Sequence, residues 1–184
     1  MAEYNFFDTR NDRLARDIRN KLGKAFVKRL APDLDLTPVA ELAENFLAEN
    51  PGAVYENYIR QRLAGFHAAK QHISQNKIND NYYRALVLWD HELFFETHEI
   101  LESLWMKAAG SRKLILQALI RAAGVYIHLA NHNQNGAEKM AAKARETLTA
   151  LREEVPPFPG LEKLLDSLAN LEHTPPKLLS DSGK

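Results

Sequence analysis

Residues 90–105 read DHELFFETHEILESLW, from Asp90 to Trp105. At about 100° per residue, Phe94, His98, Leu101 and Trp105 fall on one side of a helix, with His91 and Glu102 at its edge. His98 and Glu102 are four apart, hence neighbours along that helix. Glu92, Glu96 and Glu99 form a second row beside them. Asp90 is placed to cap the segment, which is expected to run to about Ala109.

Downstream, Leu114 to about His132 is almost uniformly apolar and reads as the central buried helix. Its few polar residues, Gln117, Arg121 and His128, share one row with Gly124. If that row faces the motif helix, Arg121 meets Glu96, Glu99 or Glu102, and His128 meets His98 and Glu102. The small Gly124 would let another helix or a ligand approach. The segment 137–151 is amphipathic, Pro156 to Gly160 is a rigid connector, and Leu161 to Leu171 reads as a last short helix.

Upstream, Leu14, Ile18, Leu22, Phe26 and Leu30 recur every four residues, so a helix is expected over 11–30, stopped by Pro32. Thr37 and Pro38 are expected to start a second helix as its N-cap and first residue. Residues 53–75 read as a third helix, the polar stretch 76–81 as a boundary, and Tyr82 to Trp89 as a short apolar helix. No segment sustains an alternation of period two. The expected fold is all-α, a helical bundle of six to eight helices with no sheet. Its expected parts are a helical extension over 1–76 that packs on the core or mediates self-association, a bundle over 77–172, and a loose tail over 173–184.

The chain has 184 residues, 24 Lys plus Arg against 24 Asp plus Glu, and no cysteine. Disulfides, thiolate metal sites and cysteine nucleophiles are therefore excluded. Zero net charge weighs against a generic polyanion binder, although residues 10–29 are strongly basic and residues 33–56 carry acids without Lys or Arg. The basic helix over 10–30 is the feature a nucleic-acid-binding arm would use, but charge complementarity within or between chains accounts for it better, and nucleic acid is the disfavoured partner. The N-terminus lacks an apolar signal segment, and the run 114–130 contains Gln117, Arg121 and His128 and falls short of a span. A soluble, cytoplasmic protein with no membrane partner is expected.

The stretch from Phe95 to Trp105 resembles the signature F-E-x-H-E-x-L-E-x-x-W of a bacterial and archaeal helical family known as domain of unknown function 309. Trp89-Asp90 resembles its aromatic-Asn pair. Leu116-Gln117-Ala118-Leu119-Ile120 and His128 resemble its second stretch. Asn133, Gly136 and Ala137 resemble its G-N-x-x-G-A, with His132 in place of the first glycine. Glu92 stands where the family often has glycine, and Arg121 where it often has glutamine. The resemblance covers about residues 80–172. It implies an all-α bundle and no activity.

Three functional classes follow from the residues. One is a polar core of Glu96, His98, Glu99, Glu102, Gln117, Arg121 and His128, serving as a buried network or holding a small polar or anionic ligand. The second is a hydrolase-type enzyme with His98 and Glu102 as acid–base pair and Glu99 as a further candidate, with metal assistance as one version. The third is a homo-oligomer built on the apolar helices, Trp89 and Trp105. Neither Glu-x-x-His nor His-Glu-x-x-His spacing occurs here, and Arg121 in such a core would repel a cation, so no metal ligands are assigned. No G-x-S-x-G, Walker A or G-x-G-x-x-G motif is present, and no cofactor is named.

Overall fold

The computed structural model describes residues 6–30 and 35–179. Among these residues there are eight α-helices, one short 3-10 turn and no strand. The chain divides into two units, Met1–Ile78 and Asn79–Lys184.

The first unit holds α1 (Arg13–Val27), α2 (Thr37–Ala48) and α3 (Ala53–Gln75). The four-residue repeat of α1 does what its period predicts: Ile18, Leu22 and Phe26 are fully buried. Phe26 stacks on Phe66 of α3 with 4.1 Å between ring centroids. Asp12 caps α1 by accepting from the Leu14 N–H at 2.8 Å, and its second oxygen accepts from the Tyr55 hydroxyl at 2.6 Å. One carboxylate thus starts α1 and ties it to α3. Thr37 is not the cap of α2 but its first residue, and Leu36 holds the cap position. The Asp35 carboxylate accepts from the Thr37 N–H at 2.9 Å. Pro38 has no N–H to offer, so the orphan donor falls one residue earlier. Arg13, Arg16, Lys21, Lys24 and Lys28 lie exposed along α1.

The second unit holds α4 (Asn81–Asp90), α5 (Phe94–Trp105), α6 (Gly110–Ala130), α7 (Gln134–Ala150) and α8 (Leu161–Asn170). α6 lies between α5 and α7, and ten of its residues are buried. It begins at Gly110 (φ 59°), earlier than the apolar run suggests. Its 21 residues are enough, by length and composition, to cross a bilayer, and this corrects the shorter reading. Nine of its ten buried residues fall on one half of its circumference, and Gly124 lies on the other. α7 starts at Gln134, because the Asn133 side chain caps it by accepting from the Gly136 N–H at 3.3 Å. At the α5–α6 turn the Lys113 ammonium sits over the half-buried Trp105 ring, 4.5 Å from its centroid.

Two expectations fail together at Asp90. It closes α4 and does not cap α5, whose cap position is held by Leu93 without a side-chain bond. The Asp90 carboxylate instead accepts from the N–H groups of Leu178 at 2.6 Å and Leu179 at 3.0 Å. Trp89 Nε1 donates to the Pro176 carbonyl at 2.8 Å, and the Lys177 ammonium donates to the Asp90 carbonyl. Leu178 is fully buried, and its carbonyl accepts from the Gly160 N–H at 2.9 Å. The segment 176–179, expected to be loose, is therefore pinned to the α4–α5 turn. Residues 180–184 of that expected tail lie outside the described residues. A carboxylate 88 residues away supplies the anchoring acceptors, and no local pattern registers that.

Candidate functional site

α5 is buried on two sides. Glu96, Thr97, Ile100 and Leu101 are buried, whereas Phe94, His98 and Trp105 are half-buried and Glu102 is exposed. Of the stripe expected to point inward, only Leu101 is wholly enclosed. The remainder of the burial is on the α4 side, where the Thr97 hydroxyl donates to the Leu93 carbonyl at 3.0 Å and approaches the Ala85 carbonyl at 3.4 Å. Glu96 has no solvent exposure. Arg84, next to Ala85 on α4, is the one buried cation among the described residues.

His98, Glu99 and Glu102 come together on the more open side of α5. Each offers one donor atom, and all three atoms lie within 4.8 Å of one another. His98 Nδ1 is 4.0 Å from Glu99 Oε1, too far for a hydrogen bond. That nitrogen is buried and has no hydrogen-bond partner among the described residues. A small divalent cation bonds imidazole nitrogen and carboxylate oxygen at about 2.0–2.2 Å, so its donors sit roughly 3–3.5 Å apart. The 4.8 Å spread, and the 4.0 Å between His98 Nδ1 and Glu99 Oε1, are wider than that, so an ion held there would draw both carboxylates toward the imidazole. The i, i+1, i+4 spacing of this group differs from both metal-binding spacings sought in the sequence.

The polar row of α6 does not join this group. Gln117, Arg121 and His128 are half-buried and Gly124 is buried. Gly124 faces α7, where a Cβ would run into the Met140 sulfur. His128 Nδ1 lies 2.5 Å from Asn133 Nδ2, and Gly136 lies against the same imidazole. The side of α6 that meets α5 instead carries Tyr126, about 200° around the helix from Gly124. Tyr126 stacks on Phe94 at 5.0 Å and meets Trp89 edge-on at 5.3 Å. Gln117 and Arg121 make no side-chain hydrogen bond or ion pair with a described residue. The expected pairings of Arg121 with Glu96, Glu99 or Glu102, and of His128 with His98 and Glu102, do not form. The row of Gln117, Arg121, Gly124 and His128 exists, but its neighbour is α7. The single polar core separates into an α5 group and an α6–α7 group.

An aromatic cluster went unread in the sequence. Trp89, Phe94 and Tyr126 pack mutually, and the Tyr126 hydroxyl shares a 2.9 Å hydrogen bond with the Ser167 hydroxyl of α8. Burial pushes the Tyr126 phenol above its ordinary pKa, partly opposed by the Ser167 bond. The sequence signal was the recurrence of aromatics at 89, 94 and 126, which separate helices only bring together in three dimensions.

Residues 82–140 match the family model described as Domain of unknown function (DUF309). The matched span takes in nearly all of α4, the whole of α5 and α6, and the start of α7. It is the family that the stretch from Phe95 to Trp105 resembles. No curated protein and no solved structure matches the chain.

Proposed function

We propose, with residues 82–140 taken as a DUF309 domain, that this domain binds a divalent cation through His98, Glu99 and Glu102 and presents it to a small polar or anionic ligand. The supporting observation is the convergence of one imidazole and two carboxylates within 4.8 Å, with His98 Nδ1 lacking a hydrogen-bond partner among the described residues. Nitrogen and oxygen donors in this mixture suit zinc or manganese. Three protein donors leave at least one coordination position for water or a ligand oxygen. A cation held there would supply Lewis acidity, the metal-assisted form of the hydrolase-type reading. His98 and Glu102 then act as ligands and not as a free acid–base pair. Arg121 forms no ion pair with these carboxylates, which removes the objection that its guanidinium occupies the site.

Calorimetric titration of chelator-treated protein with Zn²⁺ and Mn²⁺ tests the proposal. Saturable binding of one ion per chain is expected. His98→Ala and Glu102→Gln should each weaken it by about tenfold or more while leaving the helical circular dichroism intact. Equal affinity in the wild type and both variants would overturn the assignment.

A further inference from the structure

A second feature of Asn79–Lys184, separate from the His98 group, is a cavity of about 330 Å³ beside the aromatic cluster. Phe94, Tyr126, Leu129, Ala130, His173 and Pro175 line it together with Glu92. The segment that carries His173 and Pro175 is held at both ends. The Glu172 N–H donates to the Ser167 carbonyl at 3.0 Å, and Trp89 Nε1 holds Pro176. The cavity is therefore preformed, within the size range of small-molecule sites. Its volume corresponds to on the order of ten water-sized groups.

The polar lining is sparse and has a sign. Glu92 contributes a carboxylate, and Tyr126 and His173 are the other titratable groups on the lining. Lys177 reaches Glu92 from outside the lining, with Nζ 3.9 Å from Oε1, and both side chains remain substantially exposed. An ammonium group entering the cavity would compete with Lys177 for that carboxylate. Glu92 sits at φ 58°, in the left-handed region. It follows the last turn of α4, where the Leu93 N–H donates back to the Leu88 carbonyl at 2.9 Å. Glycine is the residue best suited to this position, so a carboxylate occupies it at a backbone cost.

We propose that this cavity binds a small ammonium compound with an aromatic or branched apolar body. The apolar part packs against Phe94, Tyr126 and Leu129, and the ammonium pairs with Glu92.

The test is an NMR titration of the full chain, with chelator present so that the His98 group plays no part. The probe is 2-phenylethylammonium, and the control is the uncharged 2-phenylethanol. Saturable shifts at the amides of Tyr126, Leu129 and Ala130 are expected with the ammonium, and about tenfold weaker binding with the alcohol. Glu92→Gly should raise the melting temperature, because glycine relieves the backbone, and should weaken ammonium binding by the same factor. Ala130→Trp, at an exposed lining position, should block both probes. No saturable shift, equal binding of the alcohol, wild-type affinity in Glu92→Gly, or undiminished binding in Ala130→Trp would each overturn the proposal. None of these outcomes bears on cation binding.

Discussion

Glu96 and Glu102 lie on the same helix and meet opposite surroundings. Glu96 has no exposure, whereas Glu102 faces solvent. A carboxylate enclosed in protein must be compensated, and removing it strands whatever compensates it. Glu96→Ala should therefore cost about 3–5 kcal/mol in urea unfolding, whereas Glu102→Ala should change stability by no more than about 0.5 kcal/mol. Similar losses at both positions would contradict the burial difference. Asp8 supplies a pH test in the first unit. Burial raises its carboxyl pKa, but the Asn11 side chain, the N–H groups of Arg10 and Asn11, and the Arg10 charge together hold it below the ordinary value of 3.8. A depressed carboxyl pKa contributes stability above the unfolded value and loses it as pH falls through the folded one. Melting temperature should drop as pH falls below about 4, and Asp8→Asn should flatten that part of the profile. An unchanged profile in Asp8→Asn would assign the acid sensitivity elsewhere. At this scale the sequence revealed which side chains share a row. It did not reveal which helix the row faces, because a period of 100° fixes relative direction on one helix and nothing beyond it. That is why the row through Arg121 was found and its partner misjudged.

Helices were the most legible elements, since the four-residue stripe of α1 and the apolar run of α6 each carry their own evidence. Ends were less so. Asp80 and Asp90 both precede a helix, yet only Asp80 caps one, accepting from the Tyr82 N–H at 2.7 Å. The Asp90 carboxylate is taken by the backbone of Leu178 and Leu179. Hydrogen bonds to a charged group contribute about 1.5–3 kcal/mol each. Asp90→Ala should therefore destabilise the second unit by about 3 kcal/mol and expose the Lys177 peptide bond to trypsin. Protection of Lys177 equal to the wild type would show that Leu178 burial alone secures the segment. The tail was read as loose because Pro-Pro-Lys-Leu-Leu has no helical or strand period, and order that comes from distant partners leaves no such period.

For the whole molecule, the all-α class was legible throughout. The family match lies wholly within Asn79–Lys184. That unit contains both the His98 group and the elements that hold it. Residues 79–184 produced alone should give a cooperative thermal transition, a helical spectrum and the cation affinity of the full chain. A fragment that is helical but loses cation binding would mean that the first unit contributes to the site. The chain has two tryptophans, and they occupy unlike surroundings. Trp89 is enclosed and bonded to Pro176, whereas Trp105 is half-buried under Lys113, three residues beyond Glu102. A soluble fluorescence quencher should reach the second indole and spare the first. The protein thus carries two optical reporters, one sensing whether the segment around Pro176 is seated and the other sensing what arrives beside its carboxylates.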